Sequence, residues 1–305
     1  MNLQTEKLLA TLEVIKNPSR IFLFETASQG EFNLWNLMIH EGFVTPTDIE
    51  LAFEQWQNIE EWGTPTDQTH YEYAPPRSER KDESWNDAIK SKRKQYYHQL
   101  QHIITQNLQN VQAYNLSIPK SVPETLQWKH PYFYIPIVVG SIDDNNWLCL
   151  APTVPNQASY HDKKHKSIAQ ITCEEKSSET FQNIIAQIQP LLDNLTPISI
   201  YGYYYGGYNY TYQHHIAGAI VESKAKAIEL ALQNAEMVVV EQLAVEYAND
   251  NYNDRKFSQF MNECLNHRTA YSLSFWDIGY TYEVGQTPAG DWIGVWTQSE
   301  FEYNP

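Results

Sequence analysis

One segment of this chain occurs twice. Val139-Gly140-Ser141-Ile142-Asp143-Asp144-Asn145-Asn146-Trp147-Leu148-Cys149-Leu150 aligns without a gap on Val284-Gly285-Gln286-Thr287-Pro288-Ala289-Gly290-Asp291-Trp292-Ile293-Gly294-Val295. Each copy reads as an apolar strand, a glycine, a polar turn and a second strand opening on tryptophan. Asp143–Asn146 and Pro288–Asp291 are both turn chemistry, so each copy is expected to be a hairpin. A second pair lies upstream. Asn107-Leu108-Gln109-Asn110-Val111-Gln112-Ala113-Tyr114 matches Asn194-Leu195-Thr196-Pro197-Ile198-Ser199-Ile200-Tyr201, each after a helical stretch. The shared order is helix, strand, insertion, strand, turn, Trp strand. A period this long excludes a solenoid and implies two related domains.

The expected class is therefore α+β. The first domain spans 1–152, a linker spans 153–166, and the second domain spans 167–305 with a helical insertion at 222–262. The linker follows from the two prolines and the polar run His161-Asp162-Lys163-Lys164-His165-Lys166. In the first half, Leu3–Ile15 is an amphipathic helix stopped near Asn17-Pro18, and Arg20–Glu25 is a strand. Thr47–Glu61 is a helix with Thr45 as cap and Pro46 at its first position, and 63–83 is a long loop. In the second half, Ile228, Leu232, Ala235, Val239 and Leu243 predict one helix over Ser223–Asn249, with Ser223 as N-cap. Asp250–Asp254 ends it.

Charge narrows the function classes. The chain has 21 Lys and Arg against 37 Asp and Glu, a formal charge of −16. Such a surface disfavours non-specific binding to nucleic acid or acidic membranes and favours a basic partner, or simply solubility. No run approaches the length of a membrane span, and the first residues lack the order of a signal peptide. Cys149, Cys173 and Cys264 are an odd count without metal spacing, which suits reduced thiols in a cytoplasmic protein.

Aromatic residues are concentrated in Ile198–Gln213. If Gly206-Gly207 forms a two-residue turn, Tyr205 pairs with Tyr208, Tyr203 with Tyr210 and Tyr201 with Tyr212, so all six lie on one face. Either that face packs under helices, or part of it is a binding platform. Six buried hydroxyls would each need a partner, which counts against complete burial.

Catalytic and cofactor signals are absent. There is no GxSxG, P-loop or GxGxxG pattern, and Cys173 precedes two glutamates, which disfavour a thiolate. His98 and His102, like His161 and His165, stand four apart but have no third metal ligand. Asp250-Asn251-Tyr252-Asn253-Asp254 lacks the glycine of a calcium loop, and Met261 stands where its closing glutamate belongs. Lys90-Ser91-Lys92-Arg93-Lys94 reads as a solvated helix face, with contact to an acidic patch as the alternative. No cofactor or metal is expected, and the chain reads as a binding protein rather than an enzyme. The alternative is an enzyme or small-ligand protein with a site between the two halves.

Tyr282–Thr297 reads as strand, glycine, short turn, Asp-Trp, small residue, apolar residue and threonine. This stretch resembles the nuclease A inhibitor-like proteins, as do the helix ending in Asp193-Asn194-Leu195 and the strand Ile198–Tyr201. The resemblance covers about 60 residues of the second half and, more faintly, 95–150. It implies three-layer α/β/α sandwich domains with mixed or antiparallel sheets, and inhibition of a nuclease by covering its active site. It also implies an acidic tail that approaches the enzyme's metal. Here that role falls to Glu302, then Glu300, although the final Asn304-Pro305 departs from the family's ending. In the first copy Cys149 replaces the glycine and Pro152 the threonine, and no tail follows. The expected partner site comprises Tyr203, Tyr205, Tyr208, Tyr210, Asp291, Trp292, Glu300 and Glu302.

Overall fold

A computed structural model describes residues 2–16, 19–63, 86–119, 134–153, 171–173, 179–205, 208–243, 252–275 and 278–300. At 61–63, 199–205, 208–213, 252–255 and 300 it describes the backbone only. The elements run α1 (Leu3–Ile15), β1 (Arg20–Phe24), α2 (Thr26–Gln29), α3 (Leu34–His40), β2 (Val44–Thr47), α4 (Ile49–Gly63), α5 (Asp87–Asn107), β3 (Gln109–Leu116), β4 (Ile135–Asp143), β5 (Asn146–Pro152) and β6 (Ile171–Cys173). They continue with α6 (Glu179–Asn194), β7 (Ile198–Tyr205), β8 (Tyr208–His214), β9 (Ile216–Val221), α7 (Lys224–Asn234), β10 (Val238–Gln242), α8 (Tyr252–Cys264), β11 (Asn266–Phe275), β12 (Ile278–Gln286) and β13 (Trp292–Glu300). The fold is α+β. One sheet has the order β1-β13-β12-β11-β10, the other β2-β3-β4-β5-β9-β6, and β7-β8 stand as a separate pair. β6 runs parallel to β9.

Two compact units form, but not from successive halves. Unit 1 takes Met1–Glu41, Val238–Ser274 and Ile278–Glu300. Unit 2 takes Gly42–Met237 with two short pieces. The expected division into 1–152 and 167–305 thus follows the sequence repeat, not the compact units. Of the expected linker, only Thr153 is among the described residues.

Both repeated hairpins are present, and their registers coincide. Ser141 faces Trp147, Gly140 faces Leu148 and Val139 faces Cys149. At the aligned positions Gln286 faces Trp292, Gly285 faces Ile293 and Val284 faces Gly294. The upstream strand, however, has a different counterpart from the expected Asn194–Tyr201. β3 corresponds to β11, through Leu108, Ala113, Tyr114 and Leu116 against Leu265, Ala270, Tyr271 and Leu273. Asn110 and His267, both two residues past the shared leucine, have positive φ of 50° and 48°. A Cβ on Gly140 would lie 3.0 Å from the Leu108 Cβ, and one on Gly285 would lie 2.8 Å from the Leu265 Cβ.

The outer strands extend the match. Val44 faces Leu116 as Val238 faces Leu273. Val221 faces Trp147 as Phe24 faces Trp292. Gly42 and Glu236, each two residues before its strand, have φ of 82° and 59°. α1 packs on α8 as α6 packs on α5.

Each unit has its own apolar core. In unit 1, Leu12 of α1 and Phe260, Met261 and Leu265 of the α8 region pack on Ile293 and Val295. Neighbouring β1 residues alternate, so Phe22 and Phe24 meet Phe32 and His40 on the other face. In unit 2, Phe53, Trp56, Leu100, Ile104, Ile184 and Ile188 from α4, α5 and α6 pack on Val138, Leu148 and Leu150.

Four further expectations are corrected. Val44–Thr47 is an edge strand, not a cap and helix start; proline is tolerated at an edge because it lacks the N–H. The helix capped by Ser223 ends at Asn234, and Val238–Gln242 is a strand. Tyr252-Asn253-Asp254 opens α8 instead of breaking a helix. In the tyrosine hairpin, Tyr205 faces Tyr208, but the register shifts between Tyr201 and Tyr204, so Tyr201 faces Thr211 and Ile200 faces Tyr212. A bulge adds one residue to one strand and reverses its alternation beyond that point, so the six positions do not form one face.

Candidate functional site

β13 lies between β12 and the edge strand β1 in the sheet of unit 1. On one of its faces Trp292, Gly294 and Trp296 alternate, and the paired residues of β1 are Phe24, Phe22 and Arg20. Trp292 is half-buried and stacks on Phe32, with centroids 4.1 Å apart. Trp296 is also half-buried. The exposed Arg20 guanidinium stands 4.9 Å over its ring, and Tyr282 stacks beside it at 6.0 Å.

The Tyr282 hydroxyl carries this aromatic row to a polar cluster. It donates to Glu41 Oε2 at 2.9 Å. His40 Nε2 lies 3.6 Å from Glu41 Oε1, and the two side chains are 30% and 18% exposed, within reach of solvent. Gln29 Oε1 accepts from the Glu25 N–H at 2.7 Å, which leaves its amide nitrogen to donate to His40 Nδ1 at 2.5 Å. The His40 proton then sits on Nε2, toward Glu41. Burial raises the Glu41 pKa, with Tyr282 and His40 opposing the rise. Burial and the Glu41 carboxylate together push the Tyr282 phenol up.

The expected site residues separate. Asp291 is buried in the hairpin turn, where Thr5 Oγ1 donates to its Oδ2 at 2.7 Å. Its backbone carbonyl accepts from the Thr287 N–H at 2.7 Å, so it joins the turn to α1. Trp292 follows it into the aromatic row. Tyr203, Tyr205, Tyr208 and Tyr210 lie in β7 and β8, where only the backbone is described. Glu300 ends β13 and is likewise described by its backbone, while Glu302 and Gly206-Gly207 lie outside the described residues. Sequence reasoning missed Arg20, His40, Glu41, Tyr282 and Trp296. The repeat itself could have marked Trp296, because its aligned residue is Ala151.

Other candidate chemistry takes definite positions. His98 and His102 are exposed on α5. Of the basic run on that helix, Lys92 and Lys94 are exposed but Arg93 turns inward. It pairs with Glu60 at 2.9 and 2.7 Å and donates to the Thr196 carbonyl at 2.8 Å; Tyr97 donates to the same carboxylate at 2.5 Å. That buried trio ties α4 and α5 to the base of β7. Burial raises all three thiols, Cys264 also through Glu263, the reverse of what a nucleophile needs. Among the described residues no three His, Cys, Asp or Glu side chains gather as a metal site requires. No described helix is long and apolar enough to cross a membrane.

No family model matches the chain, and neither curated proteins nor solved structures yield a significant relative.

Proposed function

We propose that this chain is an acidic protein-binding protein, an inhibitor or immunity-type protein that blocks a basic enzyme such as a nuclease. One observation carries the reading. Unit 1 keeps a row of reachable Trp292, Trp296, Arg20 and Glu41 side chains where unit 2 has Trp147, Ala151, Ala217 and Ala235 at the matching positions. The shared fold therefore does not require those three replaced residues. Tryptophan, tyrosine and arginine dominate the energetics of protein interfaces, and a formal charge of −16 steers a basic partner toward the surface. The tyrosines of β7 and β8 and the acidic residues Glu300 and Glu302 are further candidates for contact with a partner. Asp291 supports it from inside the turn. A cytoplasmic setting belongs to this reading too, since three free cysteines suit a reducing compartment.

The test is inhibition and binding measured against a panel of purified basic nucleases. Trp296→Ala is expected to weaken the best complex at least about tenfold, roughly 1.4 kcal/mol. The reading fails if no panel member binds, or if Trp296→Ala and Glu302→Gln both leave affinity unchanged in folded protein. A second reading, a small-ligand or acid–base site, is favoured by the half-buried Glu41 beside His40. It requires Glu41→Gln to change ligand binding while leaving protein partners unaffected.

A further inference from the structure

We infer that the protein consists of two halves that complete each other by exchanging their first strands, and that side-chain size makes the two exchanges non-interchangeable. The first half, to Thr153, holds α1, β1, α2–α3, β2, α5 and β3–β5. The second half, from Ile171, holds the counterparts α6, β9, α7, β10, α8 and β11–β13 in the same order. α4, β6 and the β7–β8 pair are additions. In a closed single copy, β1 would lie on β5 and β9 on β13. Here β1 lies on β13 and β9 on β5. The chain passes from one compact unit to the other at Glu41/Gly42 and at Met237/Val238, in each case in the two residues that precede β2 or β10 or at that strand's start. Unit 1 is therefore the head of the first half on the body of the second, and unit 2 is the reverse.

Side-chain size keeps the assignment fixed. β9 reads Ile216-Ala217-Gly218-Ala219-Ile220-Val221, and β1 carries Arg20, Ile21, Phe22, Leu23 and Phe24 at the positions matching Ala217–Val221. Gly218 has no room for a side chain: a Cβ there would lie 2.6 Å from Leu150 Cδ2 and 3.0 Å from the Cys149 carbonyl. The matching residue of β1 is Ile21, whose branched Cβ needs that space. Phe22 stands opposite Gly294, whereas Ala219 stands opposite Cys149, so a small residue meets a large one in one pair and a medium one in the other. β1 placed on β5 would overfill the sheet, and β9 placed on β13 would leave it underfilled. Both errors destabilise a close-packed interior. Each edge thus takes one partner and rejects the other.

The experiment starts from the full chain with a site-specific protease sequence in segment 154–170. After cleavage the two fragments should stay together in native buffer at the mass of the intact protein and separate only in denaturant. Refolded apart, neither fragment should regain native hydrogen-exchange protection; mixed, they should regain it as a one-to-one complex. The inference is overturned if the fragments part in native buffer, or if either one alone refolds to a protected monomer or homodimer. Should the separated fragments aggregate, the full-length double variant Ala151→Cys/Ala217→Cys decides. Oxidised and then cleaved, it should run as one linked species in a denaturing gel. Independent migration of the two fragments would overturn the exchange.

Discussion

β13 and β5 are the same strand built twice, and they make opposite choices. Both carry a half-buried tryptophan at their start, both sit fourth in a run of five antiparallel strands counted from β10 or from β2, and both face a glycine in the preceding strand. Beyond that point β13 places Gly294 and Trp296 where β5 places Cys149 and Ala151. Polar chemistry moves as well. Unit 1 holds a solvent-reachable Glu41–His40–Tyr282 cluster, with Ala235, Asn234 and Ile137 at the matching positions of unit 2. Unit 2 instead buries the Glu60–Arg93 pair on its added helix α4 and on α5. The fold requires the leucine that meets the glycine, the positive-φ turn and the tryptophan. The rest of each sheet was free to specialise.

The largest test of this contrast removes the buried pair. Arg93→Ala leaves the Glu60 carboxylate buried with its counter-charge gone, and should cost unit 2 about 3–5 kcal/mol. Hydrogen exchange should show the loss in α4, α5 and the base of β7 while unit 1 amides keep their protection. The triple variant Glu60→Leu/Arg93→Met/Tyr97→Phe, which also removes the hydroxyl that would lose its acceptor, should recover much of it.

Acid should separate the units next. His214 is fully buried in unit 2, and burial, with His215 opposing its charge, lowers its pKa to about 3. A base with a depressed folded pKa takes up its proton more readily when unfolded. Its contribution is complete above pH ~6.5 and is lost as the pH falls toward 3, a total on the order of 5 kcal/mol. The Glu41 carboxyl has the opposite sign. Its raised pKa favours the protonated folded form, so its contribution is present below the ordinary carboxylate range and fades as pH rises through it. Between pH 7 and pH 4, exchange protection should fall in β8, β9 and β5 and hold in β12 and β13. His214→Phe should flatten the unit 2 profile.

A smaller effect tests the strand positions directly. A Cβ on Gly294 would lie 2.0 Å from the Glu283 carbonyl oxygen, so Gly294→Ala should destabilise unit 1 by about 2–3 kcal/mol in denaturant melts. At the matching position Cys149→Ala should cost unit 2 only about 1 kcal/mol. The smallest change, Tyr282→Phe, removes the bond to Glu41 and should cost about 1 kcal/mol. A loss no larger at pH 4 than at pH 7 is expected, because the hydroxyl bonds best to the ionised carboxylate.

Much of the local structure was legible because it depends on near neighbours. The Leu3–Ile15 helix, both hairpins and the Ser223 cap follow from periodicity and turn chemistry. The helix extended past Asn234 failed because Val239 and Leu243 continue the helical spacing. The run Val238-Val239-Val240 was the opposing signal, since β-branched side chains prefer a strand. In the tyrosine hairpin, Gly202 sits where the register shifts; glycine inside a strand commonly marks such a bulge. At the candidate site, Trp292 was legible from its repeat. Glu41 and Tyr282 were not, because they are 241 residues apart and no local pattern joins them. The same holds for the strand exchange, which depends on which sheet edge receives β1 and β9.

That exchange also imposes an order on synthesis. A ribosome releases β1 early, but the strand it lies on follows some 270 residues later. At ordinary elongation rates of 5–20 residues per second, Phe22 and Phe24 wait roughly 10–60 s for β13. Residues 42–237, by contrast, leave the ribosome as one continuous stretch containing all the strands of the second sheet. Unit 2 can therefore fold on the nascent chain, while the apolar side chains of β1 still wait for their sheet. Until β13 is made, Phe22 and Phe24 have no strand to pair with.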